Sequence, residues 1–84
     1  MTTVKVLGSG CANCKKLEAL ARQAVEDSGA PAEIIKVTQY EEIMKYPILS
    51  TPGLVINEKL VCSGRIPSQA EIAGWLASAR LEQS

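Results

Sequence analysis

The chain of 84 residues contains no histidine. That excludes Cys–His and Ser–His nucleophile pairs within it and removes the commonest nitrogen ligand for zinc or copper. Net charge is missing too: nine Lys and Arg balance nine Asp and Glu. Nothing in that balance points to nucleic acid or an anionic membrane as a partner. Apolar runs are only a few residues long, so no transmembrane span is expected. The N-terminal MTTVKVLGSGC has no basic region followed by a long apolar stretch. It does not read as a secretory signal, and the cytoplasm is the expected location. Cysteine is scarce and odd in number: Cys11, Cys14 and Cys62. Such a count argues against a structural disulfide framework.

What is present is an ordinary globular balance of 46% apolar and 21% charged residues. The length fits one domain able to bury a core without disulfide staples. Thr3 to Leu7 is β-branched and alternating, with Val4 and Val6 on one face. A helix is expected from Ala12 to Ser28. Leu17, Leu20, Ala21, Ala24 and Val25 form its apolar stripe, and Glu18, Arg22 and Glu26 its wet side. Gly29 and Pro31 stop it. Glu33 to Val37 reads as a second, largely buried strand. Thr38 and Glu41 are spaced as a capping box for a short helix with Tyr40, Ile43 and Met44 facing in, ended by Pro47. Gly53 to Asn57 and Lys59 to Ser63 form a hairpin turning at Asn57 and Glu58. Ser68 and Glu71 form a second capping box, and Ile72, Trp75, Leu76 and Ala79 line one face of a last helix. The order is βαβαββα: an α/β fold with a four-stranded mixed sheet and helices on its faces. There is no linker, repeat or low-complexity segment, and residues 82–84 read as a short tail after a domain of 1–81.

Cys11 and Cys14 are three apart where the first strand gives way to the helix. Free backbone N–H groups and the macrodipole stabilise a thiolate at a helix start, and Lys15 and Lys16 add positive potential. Cys11 is therefore expected to ionise below the free-thiol value of about 8.5. Cys14 lies one turn deeper, on the face of Leu17 and Ala21. Gly8 and Gly10 let the backbone turn and leave room above Cys11. One exposed, activated thiol and one sheltered beneath it suit dithiol exchange: the outer attacks a disulfide, and the inner resolves the mixed disulfide. The alternative is a soft-metal module, copper or zinc, using the same pair. Against it, the methionine common two positions before the first cysteine in metallochaperone loops is Ser9 here, and the chain ends in a helix rather than a strand. Cys62, within a strand, reads as a small buried residue, on the same side as Leu60. Its alternative is a third redox or metal thiol. Tyr40, Met44, Tyr46 and Trp75 fit core or near-core positions, and Arg65 a solvated turn.

Ser50-Thr51-Pro52-Gly53 precedes the hairpin, and the residue pair Thr51-Pro52 is restricted to extended or turn geometry. Gly8-Ser9-Gly10-Cys11-Ala12-Asn13-Cys14, then Pro52-Gly53-Leu54, then Gly64-Arg65 before a last helix, together resemble the thioredoxin superfamily. The likeness is to its small single-domain, glutaredoxin-sized members with a redox-active disulfide, and it spans about residues 3 to 81. The resemblance implies a three-layer fold and a thiol–disulfide oxidoreductase. Cys11 is then the nucleophile, Cys14 the resolving thiol and Pro52 a cis-proline facing them. Thr51 pairs with an extended substrate segment, and Gly10, Ala12 and Asn13 face the partner. It implies no cofactor beyond the Cys11–Cys14 disulfide and no metal. Its partners are protein disulfides and an electron-donating reductase, and the protein works as a monomer. The chain departs from typical thioredoxins in having Gly10 for the Trp, Ala12-Asn13 for Gly-Pro, and Lys5 where a buried Asp is usual. The turn after the last strand lacks the acid of a glutathione site.

Overall fold

The first strand, β1 (Thr2–Leu7), divides its side chains between two cores. Val4 and Val6 pack on one face of the sheet, and Leu7 on the other. The computed structural model describes residues 2–8, 12–29, 31–48 and 50–83, with side chains through residue 79. The remaining elements are α1 (Ala12–Ser28), β2 (Ala32–Val37), α2 (Tyr40–Ile43), β3 (Gly53–Ile56), β4 (Lys59–Ser63) and α3 (Gln69–Gln83). The sheet runs β2-β1-β3-β4. β1 and β2 are parallel, while β3 is antiparallel to both β1 and β4. This is the expected βαβαββα order and a mixed sheet.

The larger core joins Val4, Val6, Leu54 and Ile56 of the sheet to Leu17, Ala21 and Ala24 of α1 and Ile72, Leu76 and Ala79 of α3. The smaller core sits on the opposite face, where Ile43 of α2 meets Leu7 and Val55. Leu7, Leu17, Leu54 and Ile72 are fully buried, each stabilising by roughly 1.5–3 kcal/mol relative to exposure. Helices therefore cover both faces, α1 and α3 on one and α2 on the other.

Local signals explain most boundaries. Gly29 takes φ +67° and its N–H donates to Glu26 O, closing α1. Asn57 and Glu58 both have positive φ, as a tight two-residue hairpin turn requires. At α3, Glu71 N–H donates to Ser68 Oγ at 3.2 Å and Ser68 N–H to Glu71 Oε2 at 3.3 Å, so that capping box forms.

Five expectations are corrected. The Thr38–Glu41 box does not form: the N-cap of α2 is Gln39, and no side chain caps it. Tyr40 and Met44 are exposed rather than turned in, because a single helical turn offers only one inward position, taken by Ile43. β2 is half-exposed rather than buried, since it is an edge strand. Cys62 and Leu60 do not share a face: the β3–β4 register slips at Leu54/Val55, so Cys62 joins the larger core and Leu60 the smaller one. Finally, α3 continues through Glu82 to Gln83, into the segment read as a tail; Ser84 lies outside the described residues.

Candidate active site

Cys14 lies in the first turn of α1 with 5% of its surface exposed. It starts the stripe that Leu17 and Ala21 continue, so the periodicity that buries those residues buries its sulfur too. Cys14 is disulfide-bonded, while Cys62 is a free, buried thiol. Gly10 and Cys11 lie outside the described residues. Ala12 and Asn13, the residues between the two motif cysteines, are exposed, as are Lys15 and Lys16.

Gly8 ends β1 and gives Cys14 its place. A Cβ at Gly8 would collide with Cys14 Sγ and would sit 4.0 Å from Thr51 Cβ. Its missing side chain thus leaves one space bordered by both the sulfur and Thr51 of the loop that leads into β3. In that loop the Thr51–Pro52 peptide is cis. Pro52 is buried and Thr51 exposed. Pro52 O accepts a hydrogen bond from Gly64 N–H at 2.9 Å. Gly64 has φ +75°, and any side chain there would strike Ser50 Oγ. The turn after β4 therefore holds residues 50–52 in place, with Thr51 on the side of Gly8 that Cys14 occupies.

Glu18 was expected on the wet side of α1. Its side chain is only 15% exposed instead. Oε1 pairs with Lys36 Nζ of β2 at 3.1 Å, and Oε2 is buried without a hydrogen bond. The sequence signal was present: Glu18 is four residues after Cys14, hence its neighbour on the helix surface. Cys62 Sγ contacts Arg65 O at 3.7 Å, and burial pushes its thiol pKa up. Arg65 pairs with Glu71 at 3.0 Å in the turn. Lys5, in place of the usual Asp, projects to the α2 face, where its Nζ donates to Tyr46 Oη at 2.9 Å and to Glu58. Among the described residues no group of three or more His, Cys, Asp or Glu gathers to hold a metal. No helix among them is long and apolar enough to cross a membrane.

The family model described as a thioredoxin domain matches residues 2–77. A thioredoxin of Methanothermobacter thermautotrophicus is 38% identical over 72 residues, covering 86% of this chain and 94% of its own. A thioredoxin of Methanocaldococcus jannaschii is 37% identical over 78 residues, covering 93% of this chain and 90% of its own. The germline-specific thioredoxin Deadhead of Drosophila melanogaster superposes with a TM-score of 0.67 at 17% identity, over 92% of this chain and 79% of that one. That last likeness is one of fold. The chain belongs to the thioredoxin family and is a thiol–disulfide oxidoreductase.

Proposed function

We propose that the chain exchanges electrons with protein disulfides through Cys11 and Cys14. The observation that carries this reading is a bonded Cys14 sheltered in the first turn of α1, on the side of Gly8 that Thr51 also borders. This reading pairs Cys14 with Cys11, three residues before it in the chain, and leaves Cys62 as the free thiol. In the reduced protein, Cys11 immediately precedes a helix whose first N–H groups favour a thiolate. That thiolate attacks one sulfur of a substrate disulfide. The S–S bond breaks and the other sulfur leaves as a thiolate. Cys14 loses its proton and attacks the Cys11 sulfur, releasing the second substrate sulfur. The substrate gains two electrons, and the protein ends as the Cys11–Cys14 disulfide.

Thr51 is exposed, and its main chain makes no hydrogen bond among the described residues. It can pair with an extended segment flanking the target disulfide, with Gly10, Ala12 and Asn13 forming the rest of the contact surface and Pro52 the wall behind it. The dithiol is the redox centre and calls for no bound cofactor. A cytoplasmic monomer recharged by a separate reductase completes the reading.

The test uses Cys11→Ser and Cys14→Ser variants against a model protein disulfide. Cys11→Ser should abolish attack. Cys14→Ser should accumulate a mixed disulfide, visible by mass. Variants that both turn over like the parent would sink the assignment.

A further inference from the structure

One cavity of about 90 Å³ opens beside α1, lined by Cys14, Lys15, Glu18, Lys36 and Thr38 over Val6. It is roomy enough for bridging water. Glu18, one of the lining residues, has a carboxylate oxygen, Oε2, that is buried and makes no hydrogen bond. Lys36 Nζ engages the other oxygen at 3.1 Å, and Arg22 Nη2 lies 4.0 Å from Oε2. A buried acceptor left unsatisfied is costly, so it asks for a use.

The resolving step supplies one. Cys14 is nearly sealed from solvent, yet only its thiolate can attack. Its proton must leave locally. Of the side chains lining the cavity, Lys15 and Lys36 are cations with no lone pair to offer, and Thr38 is a poor base at neutral pH. The carboxylate is the acceptor, one helical turn from the sulfur.

We propose that Glu18 takes the Cys14 proton, directly or through water in this cavity, as Cys14 attacks the mixed disulfide. The Cys14–Cys11 S–S bond forms and the Cys11–substrate S–S bond breaks. The substrate sulfur departs as a thiolate, and the proton held by Glu18 then passes to it or to solvent. Among the described residues, the charged and titratable groups facing this site are Cys14, Lys15 and Arg22 of α1 and Lys36 of β2; Val6 of β1 and Gly8 after it bring no such group. The proposal rests on the dithiol reading above.

The test measures release of substrate thiol from a preformed mixed disulfide, in the parent and in Glu18→Gln, between pH 6 and 10. At pH 7 the variant should resolve it at least about tenfold more slowly, within the range general bases supply. The gap should close above about pH 9, where a free thiol ionises unaided. Equal rates at pH 7, or a defect of the same size at every pH, would overturn the proposal; the second outcome marks Glu18 as a mere α1–β2 tie. Glu18→Asp, which keeps the carboxylate, should fall between the two. If the parent forms no mixed disulfide that Cys14 resolves, the dithiol reading itself fails, and this inference with it. If the parent resolves normally and Glu18→Gln matches it, only the role of Glu18 falls.

Discussion

Gly8 has no space for a side chain, because Cys14 Sγ occupies the position a Cβ would take. Its φ of +157° adds a second restriction. Gly8→Ala should therefore destabilise the fold by about 1–3 kcal/mol, the range for overpacking, and slow disulfide turnover by displacing Cys14. Urea unfolding and an insulin-type disulfide reduction assay check both, and a variant with parental stability would refute the close approach. The sequence reading assigned Gly8 to opening space above Cys11; the structure assigns it to Cys14. Both rest on the same property of glycine, but only the packed chain shows which neighbour needs it. Glu18 teaches the same point. Its spacing from Arg22 and Glu26 marked a solvated face, and that is sound for an isolated helix. Packing α1 beside β2 turned Lys36 toward it and closed it in.

At the scale of elements, two capping boxes were legible and one formed. Ser68 and Glu71 exchange hydrogen bonds at the start of a long helix whose apolar face is anchored by Ile72 and Leu76. Ser68→Ala should cost about 1 kcal/mol, while Ser68→Asp should be nearly neutral. Thermal unfolding separates the two, and indifference to both would show that tertiary packing alone sets this helix start. The Thr38 box failed because α2 is one turn long and begins a residue later, at Tyr40. The propensity of four residues cannot hold a nucleus against the packing of Ile43. In β4, alternation put Leu60 and Cys62 together. The slip at Leu54/Val55 separates them, and no residue pattern in KLVCS announces an extra residue in the ladder.

Across the whole molecule, Lys5 of β1, Tyr46 after α2 and Glu58 of the hairpin turn form one polar cluster. Tyr46 Oη donates to Glu58 Oε2 at 2.8 Å, and Lys5 Nζ pairs with Glu58 Oε1. Hydrogen bonds from Lys5 and then Tyr46 lower the Glu58 pKa, and the same carboxylate raises that of Lys5. The sign follows: the contribution of Glu58 is complete above its unfolded value of about 4.3 and is lost as pH falls through the lower folded value. Glu58→Gln should make the decline in melting temperature between about pH 5 and 3 shallower than in the parent. The effect should be small and salt-sensitive, as for exposed pairs. Parallel acid limbs would show that the cluster contributes nothing.

Signals confined to a few neighbours in the chain were enough for the elements and their order: β-branched alternation, a 3.6-residue stripe, glycine after a helix, a Ser–Glu box and the two motif cysteines. Those effects act through the backbone of one segment and need no partner. What only the tertiary structure decided depends on two segments at once. It made β2 an edge strand, slipped β4 in register, brought Thr51 to the side of Gly8 that Cys14 occupies, and buried a carboxylate oxygen one turn from that cysteine. Burial and register are properties of packed pairs, so no single stretch of residues contains them.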